Sequence, residues 1–473
     1  MQNKQIPFHR YIISLICVAV ISGGGVYIAN NSGTTLASEE EDELQKVHTL
    51  YRTLQEDYYQ KVDKDTLIEG ALKGMTEALN DPYTTYLGKE EAEQLSDSLA
   101  DSFEGIGATL TLVDNLPEVA QAPVKDSPAE KAGLKVHDKI LKVDGKETIG
   151  QTLNEVVQSI RGEKGTQVIL TIQRAAKTFD VEITRGKIPI ASLIAEMDEN
   201  QPTIGKIQIA SFNESTAREL QKAIEKLRKE GAQSFIIDLR QNPGGYLSQA
   251  EVMASMFLED GQTIVQFETD DQIVGSSKAS SDLDGGFKVT EPVAVLVDGG
   301  SASASEIFAA ALKESANVPV IGTKTFGKGT VQAVNGFGDQ SELKMTVQKW
   351  LTPSGEWINE KGLKPTIEVD FPEYAHLPPL PKNETLKKGM TSEDVENLNT
   401  FLHALTYETE GNTFNDATEQ AVKDFQSSNK LKETGEVDAE TAVVIELKIT
   451  DQLHKSDQMY DKAVEVLTKE SIQ

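Results

Sequence analysis

Strands of buried type alternate with helical stretches between residues 203 and 322, and this alternation constrains the fold more than any other feature of the chain. The strand-like runs are IGKIQIASF, SFIIDLR, PVAVLVDGG and VPVIG. Helical periodicity separates them, at Ser215–Glu230, after Gly245 and from about Ser305 to Glu314. Apolar strands joined through helices are typical of a parallel sheet covered by helices. The sequence therefore predicts an α/β core over residues 188–370.

The region before this core divides into two parts with different patterns. Residues 39–100 are predicted to be mainly helical, because apolar side chains recur at helical spacing from Val47 to Tyr58 and a second helical stretch covers about Asp65–Leu79. Residues 101–187 instead carry short β-type runs with glycine between them and one helix at Leu153–Arg161. We therefore expect an N-terminal helical region followed by a β-domain.

The region after the core begins with a proline-rich stretch, residues 371–384, which predicts a stiff linker. A helical module is expected at 385–449 and a helical tail at 450–473. The chain as a whole is thus predicted to be an α/β multidomain protein with helical regions at both ends.

An uncharged run of nineteen residues, Tyr11–Ala29, lies near the amino terminus. At about 1.5 Å per residue, a helix of this length nearly spans the roughly 30 Å hydrocarbon core of a membrane. Lys4 and Arg10 precede the run and favour a cytoplasmic position for that end. We therefore expect residues 1–37 to be a signal or anchor segment, with the chain after about Asn30 on the far side of the cell membrane.

Two further features bear on this expectation. Thr35-Leu36-Ala37 partly matches the small-residue pattern that a signal peptidase reads, so an anchored form and a secreted form both stay open. Cys17 is the one cysteine of the sequence and lies within the hydrophobic run. The exported part therefore carries no cysteine, which excludes disulfides and thiol chemistry there.

Charge and histidine placement exclude several classes of function. The sequence has 46 Lys and Arg against 75 Asp and Glu, and the resulting formal charge of -29 repels nucleic acid. The six histidines are scattered away from the motifs described below, and no HExxH motif occurs. We expect no bound metal and no cofactor.

Three serines, Ser301, Ser303 and Ser305, stand between a buried-type strand and an alanine-rich helix. A helix that begins at Ala304 or Ser305 directs unpaired N–H groups and a partial positive charge toward Ser303. Such a turn can hold an oxyanion. The same residues also fit a plain serine N-cap with Glu306 in the first turn, so both interpretations stay open here.

Lys328 lies between two glycines in TKTFGKGTVQAV, and Gln332 follows four residues later. In an extended segment these two residues share one face, so their side chains can touch. A lysine acts as a general base only when burial or a nearby positive charge lowers its pKa, and a solvated loop lysine is the alternative. A nucleotide-binding loop is not favoured, because Gly329 replaces the Ser or Thr that should follow the lysine.

The third motif, IIDLRQNPGGYL, ends a buried strand in a turn that contains Gly244 and Gly245. Two glycines allow the backbone to bring an N–H group close to a reacting carbonyl, or form a purely structural turn.

Taken together, DLRQNPGG, SASASE and TFGKGTVQ resemble, in this order and spacing, the carboxyl-terminal processing (tail-specific) peptidases, serine endopeptidases with a Ser/Lys dyad. The resemblance implies that Ser303 is the nucleophile, Lys328 the general base and Gln332 the residue that orients the lysine. It also implies an oxyanion hole lined by N–H groups of Ala304 together with Gly244 or Gly245.

EGIGATL followed by KDSPAEKAGLKVHDKILKVDG resembles a PDZ domain. Such domains take an extended peptide as an added strand and hold its terminal carboxylate on backbone N–H groups. The resemblance assigns Gly105, Ile106, Gly107 and Ala108 to the carboxylate-binding loop. Arg161 ends the helix that would border the groove, where it either contacts the peptide or remains solvated. Free C-terminal tails of proteins or peptides are the substrates that this domain implies.

Two further segments carry a resemblance. GMTEALNDPYTTYL (Gly74–Leu87) is similar to the N-terminal segment of the same peptidase family. The module at 385–449 resembles peptidoglycan-binding domains, although Asn397-Leu398-Asn399 stands where those domains usually have Leu-Gln. This module therefore implies binding to peptidoglycan, with oligomerisation or a scaffold role through a partner protein as the alternative.

These resemblances imply an endopeptidase that is anchored in the cell membrane or secreted, acts in protein processing or signalling proteolysis, and assembles as a homo-oligomer. The competing hypothesis is a non-catalytic PDZ scaffold tethered to the membrane or the cell wall, which would bind tails without cleaving them.

Overall fold

The computed structural model describes residues 37–113, 115–455 and 457–470. The predicted export run Tyr11–Ala29 and Cys17 lie outside the described residues. Within these three ranges, no helix has both the length and the apolar character needed to cross a membrane.

The chain divides into two units, residues 1–80 and 81–473. The described part of the first unit contains α1 (Ala37–Asp57) and α2 (Lys64–Glu77), and both confirm the predicted helices. Asp63 caps α2, because its carboxylate accepts a 3.1 Å hydrogen bond from the Thr66 N–H.

The second unit begins with β1 (Thr85–Leu87) and α3 (Lys89–Leu99) and continues into the predicted β-domain. This domain is an antiparallel sheet around a core that includes Ile140, Val156 and Leu170. Its sheet and helices are β3 (Leu110–Val113), β4 (Leu116–Val119), α4 (Pro128–Lys131), β5 (Lys139–Val143), β6 (Lys146–Glu147), α5 (Leu153–Ile160), β7 (Gln167–Arg174) and β8 (Lys177–Thr184). A two-stranded ribbon of β2 (Ser102–Gly105) and β9 (Gly186–Pro189) joins the two ends of the domain.

The α/β core is a six-stranded sheet in the order β10-β11-β12-β15-β16-β19. All neighbouring strands are parallel except the edge pair β10 and β11, which is antiparallel. The strands are β10 (Leu193–Met197), β11 (Ile204–Ile209), β12 (Ser234–Asp238), β15 (Val293–Val297), β16 (Val320–Gly322) and β19 (Ile367–Glu368). The helices between them are α6 (Thr216–Glu230), α7 (Leu247–Ser255), α8 (Ser281–Asp284) and α9 (Ala304–Ser315). The predicted alternation of strands and helices is confirmed.

Both faces of this sheet are buried, as the apolar strands predict. Successive residues of β12 point to opposite faces, so Ile237 packs with the main core and its neighbour Ile236 packs in a second cluster. That second cluster is completed by the last helix, α13 (Gln458–Glu470), through Met459, Ala463 and Leu467. Within the predicted helical tail 450–473, residues 458–470 are therefore a layer on the α/β sheet, whereas residues 450–455 end the preceding helix (Ala439–Lys455).

A second, largely antiparallel sheet carries the lysine motif. It contains the hairpin β17 (Thr330–Gly336) and β18 (Glu342–Leu351), together with β13 (Thr263–Thr269), β14 (Gln272–Lys278) and β1. Sequence periodicity did not predict these strands.

The C-terminal module consists of α10 (Glu393–Ala404), α11 (Asp416–Ser428) and α12 (Ala439–Lys455) around its own apolar core. Asn399 lies inside this core: its amide donates to Gly411 O at 2.7 Å and accepts from Thr418 Oγ1 at 2.9 Å. Asn399, which belongs to the segment that departs from the usual Leu-Gln, thus fixes the loop around Gly411 by hydrogen bonding.

Candidate active site

The three sequence motifs lie on loops at one edge of the parallel sheet. β12, β15 and β16 are parallel neighbours, and the loops 239–246, 298–303 and 323–329 leave from their carboxyl ends. In open α/β sheets, binding and reacting groups collect at this edge.

Ser303 differs from the two serines beside it. It is the N-cap of α9, with φ 56° and ψ -114°, a backbone conformation that residues with side chains rarely adopt. Ser301 and Ser305 are fully buried, and their hydroxyls donate to Leu239 O at 2.8 Å and to Asn242 O at 2.9 Å. Of the three, only the half-buried Ser303 has a hydroxyl that donates no hydrogen bond to the described chain. Ser303 is therefore the serine available to react.

Two backbone N–H groups beside Ser303 are free to receive an oxyanion. A Cβ atom added to Gly244 would lie 2.9 Å from Ser303 Cβ and 3.0 Å from Ala304 N, so only glycine fits this position. The Gly244 N–H itself donates to Asn242 Oδ1 at 2.9 Å. Within the described residues, the N–H groups of Ala304 and Gly245 donate no hydrogen bond. These two are thus better candidates for the oxyanion hole than Gly244.

Asp298 fixes the glycine turn against the serine turn. Its Oδ1 accepts from the Gln241 N–H and the Gly300 N–H, each at 2.9 Å, and its Oδ2 accepts from Gln241 Nε2 at 2.8 Å. The relative position of the two turns is therefore set by one buried carboxylate.

Lys328 is half-buried in the loop that precedes β17. Burial, together with the positive charge of Lys344, lowers the pKa of its ammonium to about 8, although Glu306 and Asp81 act in the opposite direction. Its Nζ lies 5.0 Å from the centre of the Tyr83 ring. The alternative of a freely solvated lysine does not fit this environment.

The main chain around Lys328 is held by both tryptophans of the sequence. Trp350 Nε1 donates to Lys328 O at 2.8 Å, and Trp357 Nε1 donates to Gly329 O at 2.9 Å. The main chain on both sides of the Lys328–Gly329 bond is therefore held in place by two indole donors.

Gln332 lies on β17, where its amide Nε2 donates to Thr330 Oγ1 at 2.9 Å and to Thr346 Oγ1 at 3.3 Å. Among the residues that the structure describes, no hydrogen bond joins Lys328 Nζ to Gln332 or to Ser303 Oγ. The main chains of Ser303 and Lys328 are nevertheless close, because both N–H groups donate to Glu306 Oε2, at 2.8 and 2.9 Å.

Sequence reasoning missed three residues around Lys328: Tyr83, Glu306 and Lys344. Tyr83 lies in the NDPYTTYL segment, whose resemblance to the family was the available signal. Glu306 was identified only as a first-turn residue of α9. Nothing in the sequence pointed to Lys344, because its proximity depends on the β17–β18 hairpin.

The glycine loop of the β-domain is the segment that the resemblance assigns to carboxylate binding. The N–H groups of Ile106, Gly107 and Ala108 donate no hydrogen bond within the described chain. Gly107 has φ 81°, and a Cβ there would come within 2.6 Å of Ser127 Cβ. Only glycine therefore fits this position of the loop.

Arg161 lies beside this loop but has a partner of its own. Its Nη1 pairs with Asp97 on α3 at 2.5 Å, and its guanidinium lies 4.9 Å from the centre of the Phe103 ring. It therefore differs from the fully solvated arginine considered above, and contact with a bound peptide stays a prediction.

No group of three or more His, Cys, Asp or Glu side chains in the described ranges is arranged to hold a metal ion.

Four family profiles match the chain. Peptidase family S41 matches residues 203–369, and PDZ domain matches residues 119–174. The profile described as Activating protease CtpB N-terminal domain matches residues 26–91, and Putative peptidoglycan binding domain matches residues 391–445.

Curated relatives match over nearly the full length. Carboxy-terminal processing protease CtpA of Bacillus subtilis (strain 168) is 43% identical over 465 residues, which covers 97% of this chain and 98% of that protease. The chain belongs to the carboxy-terminal processing proteases of family S41. CtpB of the same organism is 38% identical over 468 residues, covering 95% of this chain and 96% of CtpB. A solved photosystem II D1 C-terminal processing protease is 29% identical with a TM-score of 0.40, covering 69% of this chain and 88% of that one.

This membership confirms the resemblance stated from the motifs. The chain is a carboxy-terminal processing serine protease with a PDZ domain and a peptidoglycan-binding-like domain. The competing hypothesis of a non-catalytic scaffold is not supported.

Proposed function

We propose that this protease cuts polypeptides near their C-terminal tails, with Ser303 as the nucleophile, Lys328 as the general base and Gln332 as the residue that orients the lysine. The setting of Lys328 carries the proposal. Its side chain is half-buried, its pKa is lowered to about 8, and its main-chain N–H shares one carboxylate oxygen with that of Ser303. A sizeable fraction of such a lysine is neutral near neutral pH, as a base must be.

In the proposed reaction, neutral Lys328 Nζ accepts the proton of Ser303 Oγ while Oγ bonds to the carbonyl carbon of the scissile peptide. The N–H groups of Ala304 and Gly245 stabilise the resulting oxyanion. Lys328 then gives its proton to the leaving nitrogen as the C–N bond breaks. A water molecule, deprotonated by the same lysine, hydrolyses the acyl ester.

One side-chain movement precedes this chemistry. Lys328 Nζ must leave the Tyr83 ring and come within hydrogen-bond reach of Ser303 Oγ and of Gln332. Catalytic hydrogen bonds are often long before substrate binds and tighten in the complex. We propose that the same holds for this site.

The pH dependence of cleavage tests the role of Lys328. Because only the neutral amine is active, kcat/KM for a tail peptide should rise about tenfold per pH unit at low pH and level off above about pH 8. Lys344→Gln removes a positive charge that lowers the Lys328 pKa, so the rise should then move to higher pH. A midpoint near about pH 6.5 that does not respond to Lys344→Gln would instead indicate a histidine base.

Tail recognition is proposed to use the loop at Gly105, Ile106, Gly107 and Ala108, with Arg161 at its border. A substrate with an amidated C-terminus loses the charged acceptor for the free N–H groups, so its kcat/KM should fall about tenfold or more. The matched control carries the same residues at the tail and a free carboxylate. Equal rates for the two substrates would contradict the proposal.

We also propose that the protease acts outside the cytoplasm, anchored in the membrane or secreted, in protein processing or signalling. The hydrophobic run Tyr11–Ala29 behind Lys4 and Arg10 supports export. The match of residues 391–445 to a peptidoglycan-binding profile supports attachment to the cell wall. Homo-oligomerisation and the domain boundaries given above stay proposals.

A further inference from the structure

Glu306 is a fully buried carboxylate that contacts both halves of the candidate site. Its Oε1 accepts from Thr325 Oγ1 at 2.5 Å and from the Gly327 N–H at 2.7 Å. Its Oε2 accepts from the Ser303 N–H at 2.8 Å and from the Lys328 N–H at 2.9 Å. Four donors on two separate loops therefore converge on one side chain.

This arrangement exceeds what helix capping requires. A glutamate in the first turn of a helix commonly accepts from the N-cap N–H, here that of Ser303. The other three donors lie 19 to 22 residues further along the chain, in the loop that carries Lys328. Thr325 Oγ1 in turn accepts from the Leu363 N–H at 2.6 Å, which anchors that loop. Capping alone gives no reason for these contacts.

The hydrogen bonds also indicate the charge of Glu306. Burial raises the pKa of this carboxyl group, while the bonds from Thr325, Lys328, Gly327 and Ser303 each favour the ionised form. Two carboxylate oxygens offer about four acceptor positions, and four donors occupy them. Three of the donors are main-chain N–H groups, which cannot accept a proton in return, so these contacts favour a negative charge on Glu306 next to Lys328.

The orientation of the nucleophile follows from the same contacts. Because the Ser303 N–H points to Glu306, it is not available to an oxyanion. The next N–H, that of Ala304, donates no hydrogen bond within the described residues. It is therefore available to donate to the oxyanion. The carboxylate thus selects which backbone donor faces the reacting carbonyl.

We infer that Glu306 is a positioning residue: its buried carboxylate fixes the main chain of Ser303 against the main chain of Gly327 and Lys328, and supplies a negative charge to the lysine. The inference rests on the proposed Ser/Lys reaction for its effect on rate, but its effect on Lys328 can be measured separately. Two variants divide the two roles, since Glu306→Gln removes the charge and Glu306→Asp keeps it on a shorter side chain.

The rate measurement tests positioning. Glu306→Gln turns an amide NH₂ toward two donors, and Glu306→Asp cannot reach all four, so both should lower kcat about tenfold to a hundredfold with a smaller change in KM. Thermal unfolding and circular dichroism confirm that each variant is folded. If the Gln variant does not fold, kcat of the Asp variant alone tests whether Glu306 positions the two loops. A folded Asp variant with the wild-type kcat would refute the proposal that Glu306 positions the main chains of Ser303 and Lys328.

The lysine measurement tests the charge. Competitive acetylation across pH, read by mass spectrometry at the Lys328 peptide, reports the pKa of that amine without any cleavage. Glu306→Gln should lower the Lys328 pKa by about one unit, because the negative charge that opposes deprotonation of the lysine is gone, whereas Glu306→Asp should leave it nearly unchanged. The same displacement should appear in the pH profile of kcat/KM. An unmoved Lys328 pKa in a folded Gln variant would overturn the electrostatic role.

The two proposals fail in different ways. Cleavage by Ser303→Ala at the wild-type rate would refute the proposed reaction, while a shifted Lys328 pKa in Glu306→Gln would still support the contact between Glu306 and the lysine.

Discussion

Ser303→Ala and Lys328→Ala are each expected to lower kcat on a tail substrate by at least about a thousandfold. In the proposed reaction, the first variant lacks the atom that attacks the carbonyl carbon, and the second lacks the base that activates it. Lys328→Arg should be equally inactive, because a guanidinium is not deprotonated at accessible pH. Cleavage is measured by mass spectrometry of the products, which also locates the cut.

Two control variants distinguish the loss of a reacting group from a general effect of substitution in the same region. Lys324→Ala changes an exposed lysine of the same loop, and Ser248→Ala changes an exposed serine of α7, so both should keep near wild-type rates. Because the two residues act as one unit in the proposed reaction, the double variant Ser303→Ala, Lys328→Ala should be little worse than either single one. Substantial cleavage by Lys328→Ala would contradict a lysine base.

Removal of the last helix is expected to produce the largest loss of stability. α13 covers one face of the parallel sheet, where Met459, Ala463 and Leu467 pack on side chains that include Ile236 and Leu296. A chain that ends at Lys455 would expose this apolar face to water, at about 25 cal/mol per Å². We expect such a chain to be insoluble or unfolded and inactive.

A point substitution measures the same contact without truncation. Leu467→Ala opens a cavity in a fully buried cluster and should cost about 2–4 kcal/mol of unfolding free energy. Leu447→Ala on α12 is the control, since this leucine is 59% exposed and its loss should cost less than about 0.5 kcal/mol. Denaturant unfolding of the whole chain measures both. Equal losses would contradict the role of α13 as a layer of the sheet.

α13 also contacts the glycine turn through an ion pair. Arg240 donates to both oxygens of Asp457, at 2.8 and 2.6 Å, just before α13 begins, and also pairs with Asp238 at the end of β12. These hydrogen bonds raise the pKa of the guanidinium even though burial alone would lower it. The turn that holds Gly244 and Gly245 thus begins at a residue tied to the C-terminal helix.

The sequence by itself determined the architecture of the α/β core and the identity of the candidate residues. Apolar runs such as SFIIDLR and PVAVLVDGG are short and rich in β-branched residues, as is typical of strands buried on both faces, and helical periodicity between them favours a parallel sheet. The loops after successive parallel strands meet at one edge of such a sheet, and the structure places the three motifs there. The architecture needs only local periodicity and the geometry of a strand, whereas the candidate residues follow from the resemblance of the three motifs to the peptidase family.

Only the tertiary structure decided which groups are free to react. Ser301 and Ser305 look equivalent to Ser303 in sequence, but their hydroxyls are consumed by main-chain carbonyls of the neighbouring loop, more than 60 residues away. The lowered pKa of Lys328 likewise depends on burial and on Lys344 from another strand. Hydrogen bonds and electrostatic fields of this kind join residues far apart in the chain, and no local pattern encodes them.

The roles of Glu306 and of the last helix show the same division. As a first-turn glutamate, Glu306 is predictable from sequence, yet three of its four donors come from a loop whose position only the folded sheet defines. The helical character of the tail was predicted, while its docking site was not, because a single amphipathic helix does not specify which apolar surface it covers. The sequence determined the elements and the candidate side chains, and long-range packing decided their alignment.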